Sequence, residues 1–124
     1  MVVEDNPEVR TLMRDTLAGL GYLVLEAPGG PEALQVVEGH QKPIDLLVTD
    51  LVMPGFGGWE LAKRLAQIHP EMRVLYVSGY ADHETASRAL GEPKVAYLQK
   101  PFALAEFARK VEAIIAQSKK PERE

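Results

Sequence analysis

The chain has no cysteine, which excludes a disulfide framework, a thiolate zinc site and thiol catalysis, and leaves no secreted-domain signature. It also lacks any apolar run near the roughly eighteen residues needed to span a bilayer, and its start, MVVEDNPEVR, turns acidic too soon for a signal peptide. Positive charge is in short supply. The 14 Lys and Arg are scattered and outnumbered by 18 Asp and Glu, for a net charge of −4. Phosphate contacts need clustered basic residues, so neither direct nucleic-acid binding nor membrane association is expected. No internal repeat and no low-complexity segment is present. What remains reads as a soluble, cytoplasmic domain.

At 124 residues, with 46% apolar and 26% charged residues, the chain has the size and composition for one packed core. Strand-like and helix-like segments alternate along it. MVV is a short apolar run. NPEVRTLMRDTLAGLG follows as a helix, with Asn6 as N-cap, Pro7 in its first turn, and Val9, Leu12, Met13, Thr16, Leu17 and Leu20 on one face before Gly21 stops it. YLVLEA reads as a strand, PEALQVVEGH as a helix opened by Pro31, and IDLLVTD as a strand buried on both faces. GGWELAKRLAQIH places Trp59, Ala62, Leu65 and Ile68 on one side, and RVLYVSG is another apolar strand. DHETASRALG then reads as a helix ending at Gly91, KVAYLQK as a strand, and LAEFARKVEAIIAQ as a last helix with Leu104, Phe107, Val111, Ile114 and Ile115 along its stripe. Five strands alternating with five helices predict a single doubly wound α/β domain: a parallel sheet with helices on both faces. The domain is expected to span residues 1–117, with 118–124, polar and aperiodic, as a tail or the start of a linker. The unusually short first strand suggests a module taken from something longer.

In such a sheet the working site lies beyond the carboxyl ends of the strands, where the strand order reverses. Strand one ends in Glu4 and Asp5, strand three in Asp50, strand four in Ser78 and Gly79, and strand five in Lys100 and Pro101. Three carboxylates, a hydroxyl and an ammonium therefore collect at one edge. Crowded carboxylates raise each other's pKa unless a cation screens them, and hard oxygen ligands of this kind suit Mg²⁺. A screened carboxylate beside a lysine can attack phosphorus, with Mg²⁺, Lys100 and Ser78 sharing the charge on the phosphoryl oxygens. Asp50 is the natural nucleophile. In VTDLVMPGFGGWEL its strand breaks at once, and Pro54 with Gly55, Gly57 and Gly58 turns the chain clear of it.

Together VVEDN, IDLLVTDLVMPGFGG, VLYVSGYAD and AYLQKPF, in order at the ends of four strands, resemble the response-regulator receiver domain of two-component phosphorelays over residues 1–117. The resemblance is greatest to receivers of hybrid histidine kinases, and it implies a flavodoxin-like five-stranded sheet of order 2-1-3-4-5. It implies that Asp50 accepts a phosphoryl group from a histidine kinase or phosphotransfer domain. It further implies that Glu4, Asp5, Asp50 and the Val52 backbone carbonyl hold Mg²⁺, that Lys100 pairs with the phosphoryl group, and that Ser78 bonds it after transfer. Tyr97 stands at the family's aromatic switch position, whose inward rotation remodels the face formed by the fourth helix, the fifth strand and the last helix. That face, on which Ala86, Ala89, Tyr97, Phe107 and Lys110 fall, would meet an output or partner domain, or a second copy in a homodimer. The Lys100–Pro101 bond is cis in this family.

The chain departs from the family pattern in three places. Glu4 replaces the usual first aspartate, and its longer arm is expected to reach the metal through water. Ala103 stands where a capping Ser, Thr or Asp is common, which should weaken the start of the last helix by about 1 kcal/mol. The positions that tune hydrolysis are Val52 and Tyr80, neither of which activates water, so a phosphoryl-aspartate that is not especially short-lived is expected.

Taken singly, these residues have plainer readings. Glu4 and Asp5 fit helix-dipole acids, Asp50 a turn residue, Lys100 a solvated lysine and Tyr97 core packing; the constellation favours the site. Trp59, Phe102 and Phe107 are read as packing residues, and His40, His69 and His83, without metal-ligand spacing, as capping or exposed. An aspartyl-phosphate phosphatase needs a second aspartate two residues after the nucleophile, where Val52 stands. A flavodoxin-like carrier would meet carboxylates where flavin phosphate needs donors. A receiver-like module that binds partners without phosphorylation is the remaining alternative. The chemistry expected is that of a signalling phosphoacceptor which catalyses its own phosphorylation and slow dephosphorylation, not of a turnover enzyme.

Overall fold

The computed structural model describes residues 1–53, 55–79 and 94–118. The first strand, β1 (Val2–Val3), is as short as the sequence implies, and α1 (Pro7–Gly19) starts where Asn6 predicts. The Asn6 side chain accepts hydrogen bonds from the backbone N–H groups of Glu8 and Val9, which satisfies two of the donors that a helix start leaves free. At the other end Gly21, at φ 97°, supplies the left-handed turn of a Schellman motif. Its N–H donates to Ala18 O and that of Tyr22 to Leu17 O.

The chain continues through β2 (Glu26–Ala27), α2 (Gly30–Glu38), β3 (Leu46–Asp50), α3 (Gly58–Ile68), β4 (Arg73–Ser78), β5 (Val95–Gln99) and α4 (Leu104–Ser118). The five strands pair in parallel, as the alternating pattern predicts, in the order β2-β1-β3-β4-β5 that the family resemblance implies. The segment expected to form the fourth helix, with Tyr80, His83, Ala86 and Ala89, lies outside the described residues, as do Pro54 and 119–124. Thus α4 here is the last of the five helices expected. Among the described residues no helix is long and apolar enough to cross a membrane.

Successive strand residues serve opposite faces of the sheet, as the two-residue period requires. Val3, Leu47, Val74 and Tyr76 face Ala33 and Val37 of α2 and Leu61 and Leu65 of α3. Val2, Leu46, Val48, Leu75 and Val77 face Met13 and Leu17 of α1 and Phe107, Val111 and Ile114 of α4. Burial on both faces is why β3 and β4 read as continuous apolar runs. Phe102 stacks on Phe107 at 5.7 Å, and Trp59 packs partly buried against the first layer, so these aromatics are packing residues.

Several local expectations are corrected. YLVLEA yields only two strand residues because β2 lies at the sheet edge, where its one partner offers just Val2 and Val3; Leu23 is left exposed. Leu12, Leu20, Ile68 and Leu104, placed on apolar stripes, are all exposed. Leu20 has already left the helix as its C-cap, and Ile68 and Leu104 are the last and first residues of their helices. Leu61, not singled out by the spacing, is fully buried in α3 instead.

Candidate phosphoacceptor and metal site

β1, β3, β4 and β5 end side by side, and the fold converges their last residues. Asp50 closes β3 in register with Val77, one residue before Ser78. Ser78 in turn lies opposite Gln99, and its carbonyl accepts from the Lys100 N–H at 2.8 Å. The Lys100–Pro101 peptide is cis, as expected. From this position the Lys100 ammonium bridges two carboxylates, donating to Asp50 Oδ2 at 2.8 Å and to Glu4 Oε1 at 3.1 Å. Glu4 Oε2 accepts from the Asn6 N–H at 3.1 Å.

The residues differ in exposure. The Glu4 side chain is 2% exposed, that of Asp50 12% and that of Lys100 30%, while Asp5 stands at the open edge. Burial pushes the Glu4 carboxyl above its ordinary value; the Asn6 and Lys100 contacts oppose the shift, and repulsion from Asp50 is its smallest cause. Crowding is therefore not the main influence that the sequence suggested. Burial also works against the charge of Lys100, but the bonds and charges of Asp50 and Glu4 outweigh it and hold the ammonium above the usual lysine value.

One carboxylate oxygen from each of Glu4, Asp5 and Asp50 lies within 4.8 Å of the others. Such a set of hard oxygen donors, open to solvent on the Asp5 side, fits a divalent cation that keeps several of its waters, as Mg²⁺ does. It does not resemble a closed nitrogen and sulfur site.

The loop after Asp50 shows why the sequence breaks there. A Cβ on Gly58 would collide with the Asp50 carbonyl oxygen and one on Gly57 with that of Leu51; the Gly58 N–H donates to Leu51 O. Both glycines let α3 start directly against the end of β3. Gly55, at φ 87°, makes the turn between them, and the Val52 side chain is 65% exposed on the rim. On the other side of Ser78, Tyr97 pairs with Tyr76 across the sheet and its hydroxyl donates to the carbonyls of Ser78, at 3.2 Å, and Gly79, at 3.4 Å. The fold thus brings together Glu4, Asp5, Asp50, Ser78, Tyr97 and Lys100. Tyr80 lies outside the described residues. His69 caps the end of α3 and His40 is half-buried just past α2, both away from the carboxylates.

The sequence reasoning missed Arg10. Its guanidinium donates to the main-chain carbonyl of Glu4 at 2.8 Å and to Glu26 Oε1 at 3.2 Å, and Arg14 donates to Glu26 Oε2 at 2.8 Å. The available signal was two arginines four residues apart on α1, next to a strand carrying one inward acid.

The family model for the response regulator receiver domain matches residues 1–112. The chain is 36% identical over 115 residues to the sensor kinase CckA of Brucella abortus, which covers 93% of this chain and 12% of that protein. It is 32% identical over 115 residues to the DNA-binding transcriptional regulator NtrC of Escherichia coli K12, covering 93% and 24% respectively. It therefore spans an eighth to a quarter of these relatives' lengths. The crystal structure of the receiver domain from the hybrid histidine kinase CckA superposes with a TM-score of 0.77 at 32% identity, covering 92% of this chain and 95% of that one. Fold, strand-end residues and relatives agree, and the chain belongs to the response regulator receiver domain family.

Proposed function

We propose that Asp50 is the phosphoacceptor of this receiver domain. The observation that carries the reading is the Lys100 ammonium, held within 2.8 Å of Asp50 and 3.1 Å of Glu4. A carboxylate oxygen of Asp50 attacks the phosphorus of a phosphohistidine on a histidine kinase or phosphotransfer domain. The P–O bond forms as the P–N bond breaks, and the imidazole leaves. Lys100 takes up charge on the phosphoryl oxygens during transfer and afterwards pairs with the product. Glu4, Asp5, Asp50 and the Val52 carbonyl would hold Mg²⁺, which when bound neutralises charge shared between the carboxylates and the phosphoryl oxygens. Glu4, with its oxygens engaged by Asn6 and Lys100, is suited to act through a water.

Ser78 and Tyr97 form the switch. Ser78 bonds the new phosphoryl group, and Tyr97, already tied to the backbone beside Ser78, relays its movement to the face shared by the fourth helix, β5 and the last helix. An output domain, a partner or a second copy reads that face. With Val52 offering no group to activate water, and Tyr80 expected to offer none, the phosphoryl-aspartate is not especially short-lived, and the domain acts as a signal carrier rather than a turnover enzyme. Residues 1–117 form the receiver, with 118–124 a polar tail or the start of a linker, and the domain belongs to a hybrid kinase or response regulator acting in the cytoplasm.

Intact-protein mass after incubation with acetyl phosphate tests the assignment. A single phosphoryl adduct that requires Mg²⁺ and disappears in Asp50→Asn is expected. No adduct on folded wild type at saturating Mg²⁺ would make a phosphorylation-independent binding module the better reading.

A further inference from the structure

We propose that Arg10 is a positioning residue for the acidic site: by tying the main-chain carbonyl of Glu4 to Glu26, it sets the direction in which β1 delivers the Glu4 and Asp5 carboxylates. The reading of Glu4 and Asp5 as metal ligands is taken from the proposed function; the positioning itself is a property of the protein alone.

Glu4 is where β1 leaves the sheet. Its N–H still donates to Ala27 O, but its carbonyl lies past the last paired residue of β1, Val3, and a strand-end carbonyl at a buried residue needs a donor. Arg10, from the second turn of α1, provides it. A guanidinium is a planar fork, so the bond from its NH1 to Glu4 and the bond from its Nε to Glu26 constrain each other. Glu26 also accepts from Arg14 through its other oxygen, a contact that does not reach Glu4. Glu4 is thus fixed at its backbone by Arg10 and Ala27 and at its carboxylate by Asn6 and Lys100. Asp5, exposed and next in the chain, takes its direction from the same backbone.

A plainer role is a salt bridge between α1 and β2, a contact worth little when part-exposed. Arg14 separates the two roles, because it makes the same kind of bond to Glu26 without touching Glu4. The test compares Arg10→Met, Arg10→Lys and Arg14→Met with the wild type. In metal-free protein, hydrogen exchange of the Asn6 amide, which donates to Glu4 Oε2, reports the order of Glu4. Calorimetric titration with MgCl₂ reports the carboxylates.

Arg10→Met is expected to speed Asn6 exchange and to weaken Mg²⁺ binding about tenfold, the low end of what partners behind a metal ligand contribute. Arg10→Lys, with charge but no fork, falls between. Arg14→Met leaves both readouts at wild type even where its melting temperature falls as far. Equal effects of Arg10→Met and Arg14→Met on both readouts, or none from either, overturn the proposal. Should Arg10→Met not fold, Glu26→Ala releases the fork from its anchor and is expected to move both readouts the same way; no movement there also overturns it. A wild type that binds no Mg²⁺, but whose Asn6 exchange responds to Arg10 and not to Arg14, sinks the metal reading and leaves the positioning role standing.

Discussion

Glu4 is the most deeply buried carboxylate of the site, and burial decides its titration. The folded group keeps its proton to higher pH than the unfolded chain, where release is centred on the ordinary glutamate value of 4.5. Its contribution to stability is therefore fully present below that value and is lost as pH rises through the folded pKa. In metal-free protein this group should make stability fall from pH 4.5 upward. Glu4→Gln should flatten that part of the profile and raise the denaturation midpoint at neutral pH. Urea melts of wild type and variant in EDTA check this, and a variant that is less stable at neutral pH with an unchanged slope contradicts it. The sequence alone pointed to Glu4 as a ligand but attributed its shift to crowding. Which desolvation a side chain suffers depends on what packs over it, and that is not written in its neighbours along the chain.

At the scale of an element, α4 shows what a missing cap costs and what partly replaces it. Ala103 has no side-chain acceptor, yet the Glu106 carboxylate reaches back to accept from the Ala103 N–H at 3.2 Å. That is one half of a capping box, with the other half absent. Ala103→Ser should complete it and raise stability by about 0.5–1 kcal/mol. Serine is preferable to aspartate because it adds no charge near Lys100. Thermal denaturation of Ala103→Ser in the wild type and in a Glu106→Ala background checks the reciprocity: a gain that is no larger with Glu106 present argues against the box. The start and stop of α1 were legible because Asn6, Pro7 and Gly21 act through local backbone geometry. The exposure of Leu12 was not legible, since a helical stripe can be wider than the surface available to cover it.

For the whole molecule, the Lys100 ammonium links residues far apart in sequence, at the ends of β1 and β3 and just past β5. Removing it leaves two carboxylates facing each other in a site only partly open to water. Lys100→Met in metal-free protein should cost about 1–3 kcal/mol, below the roughly 3–5 of a fully buried pair because the lysine is 30% exposed. Added Mg²⁺ should recover part of the loss by screening the same charges. Chemical denaturation with and without MgCl₂ measures both, and a loss that Mg²⁺ deepens would count against a shared site. Much of this architecture could be read in advance. The alternation of apolar runs with amphipathic stretches determined the α/β class and the parallel sheet, because burial on both faces leaves a central parallel strand no polar side, while the strand order followed from the family resemblance. The residues closing each run determined which groups would meet, because a doubly wound sheet gathers its strand ends. Only the tertiary structure decided that β2 pairs through two residues, that Leu61 is buried while Ile68 is exposed, and that Arg10 grips the carbonyl of Glu4. Each of these depends on distances between segments distant in sequence, which local periodicity does not encode.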